Sequence, residues 1–162
     1  HRTPRVISLE KARNIGVLYY LPDERSYRIV SGFVKQLQDD GKSVKALAYV
    51  EDKRLTGQFL PKLSYDFLYP SGLKWNYRPN ASMARDFIDT EFDILIDLNT
   101  GKYLPLTFLT ALSKARFKAG LESEYNKNYL DMMISLKKDV SLEDGIREMK
   151  HYLSLINRKN EA

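Results

Sequence analysis

Apolar residues in this chain alternate between short, nearly unbroken runs and longer stretches with helical spacing. The clearest run is F-D-I-L-I-D-L at residues 92–98. An apolar run of this length bounded by turn residues is typical of a strand buried on both faces. The residues that follow, 103–115, have the pattern of a well-buried helix. Strand, tight loop and helix form the repeating unit of a parallel α/β sheet.

Similar apolar runs predict the remaining strands. The first two, N-I-G-V-L-Y-Y-L and V-K-A-L-A-Y-V, enclose an amphipathic helix and so form a βαβ unit. We expect strands over residues 14–21, 44–50, 64–69, 116–120 and 129–136, in addition to 92–98.

Capping residues and helical spacing predict the helices between these strands. Ser26 is expected to cap the first helix, which ends before Gly41, and Asn80 is expected to cap a short second one. Ser141 begins the last helix, where Glu143 and Arg147 have the spacing of an i,i+4 ion pair. The apolar seam of that helix is expected to pack on the sheet rather than in a coiled coil, because it spans only two heptads.

These elements predict a single α/β domain with a Rossmann-like, three-layer architecture. Its mainly parallel sheet has five or six strands, with helices on both faces. We expect the domain to span residues 14–157, after an N-terminal extension at 1–13 that carries a short helix near 8–13. Residues 158–162 are expected to fray.

Composition excludes several kinds of site. The chain has no cysteine, which excludes disulfides, thiolate zinc sites and a cysteine nucleophile. Its two histidines, His1 and His151, do not suffice for a histidine metal site, so no metal is expected. No apolar stretch approaches the roughly 18 residues that span a bilayer, and no signal peptide is visible. A cytoplasmic protein is therefore expected, although a chain that opens at His1 leaves room for a removed N-terminal segment.

The common nucleotide and hydrolase motifs are absent. Leu21-Pro22-Asp23-Glu24-Arg25 follows the first strand, where a dinucleotide-binding protein has G-x-G-x-x-G. Neither a P-loop nor a G-x-S-x-G elbow occurs. No cofactor is expected, and a protein without catalytic activity is favoured over an enzyme.

Polar residues follow two strands that lie side by side if the sheet has the common strand order. In such sheets ligands bind beyond the carboxyl ends of the strands, where the strand order reverses. The carboxylates, cations and helix N-termini there are able to bind a polar or phosphorylated ligand, or they only cap helices and solvate loops. The candidate ligand-binding residues are Asp23, Glu24, Arg25, Ser26, Asp97, Asn99, Thr100 and Lys102.

The basic balance of the chain indicates another class of partner. The net charge is +5 and the pI is about 9.3, with a small cluster at Lys114, Arg116 and Lys118. Such a surface suits nucleic acid, an acidic membrane or an acidic protein, or it is simply solvated. Exposed aromatic residues such as Trp75, beside Lys74 and Arg78, would stack on bases of a single strand. The alternative is that the aromatic residues pack in the core and on the sheet.

The segment F-D-I-L-I-D-L, then a helix, then A-R-F-K-A-G resembles the "yDlvIDL … riG" segment of heptosyltransferase-type glycosyltransferases. That resemblance implies the N-terminal Rossmann-like domain of a GT-B fold over residues 14–120. It also implies a role for Asp23 as the weak catalytic candidate, since the family carries a Gly-Asp pair there whose aspartate is the proposed general base. Here Pro22 replaces the glycine. The family also needs a second domain for the sugar nucleotide, and 162 residues leave no room for it.

The whole chain also resembles a family of small bacterial proteins, a domain of unknown function found mainly in Bacteroidetes. The segments F-D-I-L-I-D-L-N, L-S-K-A-R-F-K-A-G and H-Y-L carry this resemblance.

Three functional hypotheses follow. The first is a non-catalytic binding or scaffold module that kept a GT-B-like half-fold. The second is a basic protein that associates with RNA or the ribosome. The third is a small-ligand binder or enzyme that uses a crevice at Asp23 and Asp97. The partner, whether a protein or RNA, and the oligomeric state stay open.

Overall fold

A six-stranded, entirely parallel sheet forms the centre of the computed structural model, which describes residues 2–156. Helices cover both of its faces, which confirms the predicted Rossmann-like α/β fold. In chain order the elements are β1 (Asn14–Tyr20), α1 (Glu24–Asp39), β2 (Ser43–Tyr49), β3 (Tyr65–Leu68), α2 (Ser82–Asp89), β4 (Ile94–Asp97), α3 (Leu104–Leu112), β5 (Lys118–Leu121), β6 (Met132–Ile134) and α4 (Leu142–Leu155).

The strand order is β3-β2-β1-β4-β5-β6, so the order reverses between β1 and β4. These two strands are the interior neighbours that the sequence predicted, and they run parallel with Leu18 opposite Asp97. Their side chains are buried on both faces, as expected for a central strand in a sheet covered by helices. All six carboxyl ends therefore lie at one edge of the sheet and all six amino ends at the other.

Two apolar clusters cover the two faces of the sheet. Alternate side chains of β1 and β4, such as Val17 and Ile96, pack with α1 and α4 in one cluster. Leu18 and Leu95 point the other way and pack with α2 and α3. The apolar seam of α4 packs on the first face, as predicted from its spacing.

Gly16 lies in the middle of β1 because an aromatic ring covers it. A Cβ placed there would lie 2.7 Å from two ring atoms of Phe92. Phe92 is 1% exposed and packs 4.9 Å, between ring centroids, from Phe87 on α2. The glycine thus lets the aromatic pair lie directly against the backbone of the central strand.

Two helix starts differ from the sequence predictions, and a third agrees with them. Asp23, not Ser26, caps α1, because its Oδ1 accepts a hydrogen bond from the Ser26 N–H at 2.8 Å. Residue 81 is the N-cap of α2, and Asn80, the predicted cap, lies one residue earlier. Ser141 caps α4 as predicted, through the Asp144 N–H.

The predicted ion pair between Glu143 and Arg147 is wrong. Arg147 pairs instead with Asp144, one turn away at i,i+3. Glu143 instead forms an ion pair with Arg25 at the start of α1, with 3.0 Å between a guanidinium nitrogen and Oε2 of Glu143. A contact between two helices has displaced the local pair.

Residues 2–13, predicted to be an extension, lie against the sheet and α4. The Arg5 N–H donates to the Arg116 carbonyl, and the Leu9 N–H donates to the Leu153 carbonyl. The short helix predicted near 8–13 is a single turn, closed by the Ala12 N–H on the Ser8 carbonyl. The tail predicted to fray, 158–162, lies outside the described residues.

Strand and helix ends also shift. The strand predicted at 129–136 is reduced to β6, because a 3₁₀ turn over Lys127–Tyr129 precedes it. The helix predicted at 103–115 ends at Leu112, where the Lys114 N–H bonds to the Ile88 carbonyl instead of continuing the helix.

Gly16→Ala is expected to lower the free energy of unfolding by about 1–3 kcal/mol, because the new methyl group overlaps the Phe92 ring. Gly32→Ala is the matched control. Gly32 lies on the exposed side of α1, where a Cβ would have no atom within 4 Å, so the same change is expected to stabilise by up to about 1 kcal/mol. Urea denaturation of both variants measures the difference. Equal effects of the two substitutions would contradict the assigned packing.

Candidate functional site

The carboxyl ends of β1 and β4 lie next to each other, as the crevice hypothesis requires. The Leu98 N–H donates to the Leu18 carbonyl at 2.9 Å, so the two strands still pair where β4 ends. The loop from Leu21 to the start of α1 and the loop from Leu98 to α3 therefore leave the same edge of the sheet.

The four candidate residues of the first loop all have local structural roles. Asp23 caps α1, and the same Ser26 N–H bond lowers the pKa of its exposed carboxyl. Glu24 pairs with Arg28 at 3.3 Å, and Arg25 pairs with Glu143. A carboxylate with a lowered pKa is a weaker base than an ordinary one, which weighs against Asp23 as a general base.

Asp97 ends β4 inside the protein, not at its surface. It is 1% exposed, and its carboxylate accepts three hydrogen bonds. The Asn99 N–H donates to Oδ1 at 2.9 Å, whereas the Thr110 hydroxyl and the Asn126 amide donate to Oδ2 at 2.9 Å and 3.2 Å. Asn126 also donates to the Leu121 carbonyl at 3.0 Å. Asp97 thus ties the loops after β4 and β5 to α3.

Burial raises the pKa of Asp97 to about 6, although the three hydrogen bonds act in the opposite direction. Folding therefore places a carboxyl group in surroundings that favour its neutral form more than water does. This cost is absent below the unfolded pKa near 3.8 and complete above about pH 6.

The remaining candidates lie in the loop between β4 and α3. Asn99 is buried, and its side chain forms two hydrogen bonds with the backbone of Gly101. Thr100 and Lys102 are exposed. Next to them, the rings of Tyr103 and Tyr20 stack with centroids 3.8 Å apart. This aromatic stack joins the end of β1 to the loop before α3, in the place that a ligand at the crevice would approach.

Cationic side chains are concentrated on another part of the surface, away from the carboxyl ends of β1 and β4. A pocket of about 570 Å³ lies at the amino ends of β4 and β5, beside the last residues of α3. A second pocket of about 390 Å³ lies along α2 and shares Leu112 and Lys114 with the first. We call the two together the basic groove. Its cationic lining residues are Arg2, Arg5, Lys74, Arg78, Arg85, Lys114, Arg116 and Lys118.

The basic groove accounts for the positive charge of the whole chain. It holds eight of the 26 lysines and arginines but, in Asp89 and Glu91, only two of the 21 acidic residues. The remaining 18 basic and 19 acidic residues nearly cancel. The rest of the protein is therefore close to neutral.

The cations of the groove differ in how they are held. Arg2 pairs with Asp131 at 2.6 Å, and Lys114 pairs with Asp89 at 3.0 Å. Lys118 is 3% exposed, and its ammonium group donates to the Thr110 and Ala111 carbonyls at the end of α3. Burial, followed by the charge of Arg2, lowers its pKa to about 8.

The other five cations have no ion pair among the described residues: Arg5, Lys74, Arg78, Arg85 and Arg116. The sequence indicated the cluster at Lys114, Arg116 and Lys118 but not the groove. The groove combines the segments 2–5, 74–91 and 111–118, and no spacing along the chain indicates that they meet.

Residues 2–156 contain neither a candidate metal site nor a candidate membrane-spanning helix. No group of three or more histidine, aspartate or glutamate side chains is placed to hold a metal ion there. Among the helices of the same residues, none has the length and apolar content to cross a membrane.

Replacing the Asp97 carboxyl by an amide removes its titration. The free energy of unfolding of the wild type, relative to Asp97→Asn, is expected to fall by on the order of 3 kcal/mol as pH rises from about 4 to above 6. Chemical denaturation of both proteins across this range measures the change in this stability difference. A difference between the wild type and Asp97→Asn that does not change with pH would contradict the assigned burial.

Thr110→Val removes one hydrogen bond to the charged form of Asp97, so a carboxyl ¹³C titration by NMR should show a further rise in the pKa of Asp97.

Comparisons with known proteins agree with the fold. A solved structure of a glycosyl transferase family 9 protein from Veillonella parvula DSM 2008 superposes on 97% of this chain with a TM-score of 0.60 and 13% identity. This chain spans 45% of the length of that protein, and at such low identity the similarity concerns the fold alone. No curated protein matches. The model of a family of unknown function, DUF6913, matches residues 1–156. The chain therefore belongs to DUF6913, the kind of family that its sequence resembled.

Proposed function

We propose that this protein is a binding module for the sugar-phosphate backbone of nucleic acid, and that the basic groove is its binding surface. The observation that carries this proposal is the concentration of eight cations in two adjoining pockets of an otherwise near-neutral protein. A polyanion binds such a surface by releasing its condensed counterions, which provides affinity without base recognition.

The five groove cations that form no ion pair within residues 2–156 are the ones that would contact phosphates. An arginine already held by a carboxylate must give up that partner before it gains a phosphate, and the exchange returns little free energy. Four of the five are arginines, whose planar guanidinium donates two parallel hydrogen bonds to a phosphate. They are distributed over both pockets, with Arg5 and Arg116 in one and Arg78 and Arg85 in the other.

The shape of the groove favours a chain-like polyanion over a membrane surface. The cations line two pockets that share Leu112 and Lys114, and a linear strand with a regular charge spacing suits cations arranged in this way. A peripheral membrane protein uses a face that combines cations with several apolar side chains at the surface. The groove contains few apolar residues, chiefly Leu112 and Ile88.

Ligand binding at the Asp23 and Asp97 crevice is supported less well. Asp97 and Asn99 are buried in hydrogen bonds, and Tyr20 and Tyr103 stack beside them. Thr100 and Lys102 are the exposed members of their loop that remain available to a ligand.

Binding of a labelled single-stranded RNA, followed by fluorescence anisotropy, is expected to weaken steeply with salt. Five phosphate contacts on a single strand give a slope of log K against log salt of about −3.5, which is on the order of 100-fold between roughly 50 and 200 mM. The double variant R85E/R116E reverses one cation in each pocket and should abolish binding at the higher salt concentration.

The matched control is R28E/K35E, which changes the net charge equally on α1, across the sheet from the groove. It should bind RNA about as well as the wild type, apart from a small non-specific loss. An equal loss in both variants would contradict the proposal, as would binding that does not respond to salt. Capture by phosphatidylserine vesicles without RNA binding would contradict it too.

A further inference from the structure

Trp75, the only tryptophan of the chain, lies in a turn that borders the basic groove. We propose that its indole stacks on an unpaired base, so that the groove binds single-stranded nucleic acid in preference to duplex. This inference rests on the proposed function and adds to it the strandedness of the ligand.

Trp75 is held at the surface by an ordered turn. The Tyr77 N–H donates to the Lys74 carbonyl at 2.9 Å, and the Lys74 N–H donates to the Arg78 carbonyl at 2.8 Å. The Arg78 N–H also donates to the Asn76 side chain at 3.2 Å. Tyr77 takes a left-handed backbone conformation, with φ at 67°, which tightens the turn. The backbone of the turn therefore has internal hydrogen bonds that fix its shape.

The exposure of Trp75 is large for its type. It is 94% exposed, whereas most aromatic residues of the chain pack in the core or on the sheet, as Phe92 and Tyr19 do. An indole left in water gains none of the free energy that burial of its apolar surface would provide, and it contributes nothing to the packing of the fold. A side chain of this kind is available to a partner.

Charge and aromatic surface meet at this turn. Lys74 and Arg78 flank the tip that carries Trp75, and both line the pocket that continues to Arg85 and Lys114. Cations that track a phosphate backbone, next to an aromatic ring that receives a base, form the usual arrangement of single-strand binding surfaces. In a duplex the bases are stacked on one another, so their faces are inaccessible to the indole.

A single tryptophan permits a direct test by its own fluorescence. Binding of a single-stranded oligonucleotide is expected to quench the emission of Trp75, and Trp75→Ala should weaken the binding by about 5- to 100-fold. Trp75→Phe should retain most of the affinity, because phenylalanine also stacks. Tyr152→Ala, which removes an aromatic ring that is 46% exposed on α4, is the matched control and should have no effect.

An abasic strand separates this inference from the proposed function. It keeps the phosphates and lacks the bases, so we expect it to bind in a salt-dependent way, more weakly than the normal strand and without quenching. Equal binding of abasic, normal and duplex ligands, together with no effect of Trp75→Ala, would overturn the stacking and leave the groove in place. No salt-dependent binding of any strand would overturn both. An emission shift that depends on protein concentration alone, without quenching by the strand, would assign Trp75 to a contact between two copies and overturn the inference.

Discussion

The parallel pairing of β1 with β4 at the centre of the sheet is the constraint on which the rest of this structure depends. Both strands are buried on both faces, so each needs a helical layer on either side, and α1 with α4 and α2 with α3 provide these layers. Because every strand runs in the same direction, the loops divide into two sets at opposite edges. The two edges have become chemically different.

At the carboxyl edge, polar residues hold the fold together. Asp97 is the only charged side chain of β4, and a buried carboxylate is tolerated only when hydrogen bonds compensate its lost hydration. Thr110 and Asn126 supply such bonds from α3 and from the loop after β5. The Thr110 carbonyl in turn accepts from the ammonium group of Lys118 at 2.6 Å. A single threonine therefore links two buried charges of opposite sign on neighbouring strands.

The basic groove, at the amino edge, exposes five of its eight cations without an ion pair to any residue of 2–156. The groove begins where β4 and β5 start and continues along α2 toward the turn of Trp75. In proteins with this type of sheet, small ligands commonly bind at the carboxyl ends of the strands, where the strand order reverses. Here that edge holds the Asp97 network and the stacked rings of Tyr20 and Tyr103, whereas the basic groove lies at the opposite edge. The similarity to a glycosyl transferase family 9 structure therefore concerns the fold and not the site.

Sequence alone determined the class of fold and its central strand pair, because burial on both faces requires an apolar run that is visible in the residues themselves. It also determined the cap at Ser141, which depends on neighbours within one turn. Only the tertiary structure decided the partners of Glu143, the burial of Asp97 and the gathering of Arg5, Arg85 and Arg116 into one groove. These features depend on residues distant along the chain. The pattern of apolar and polar positions indicates which apolar side chains are buried, but not which segments meet or which polar side chains are buried between them.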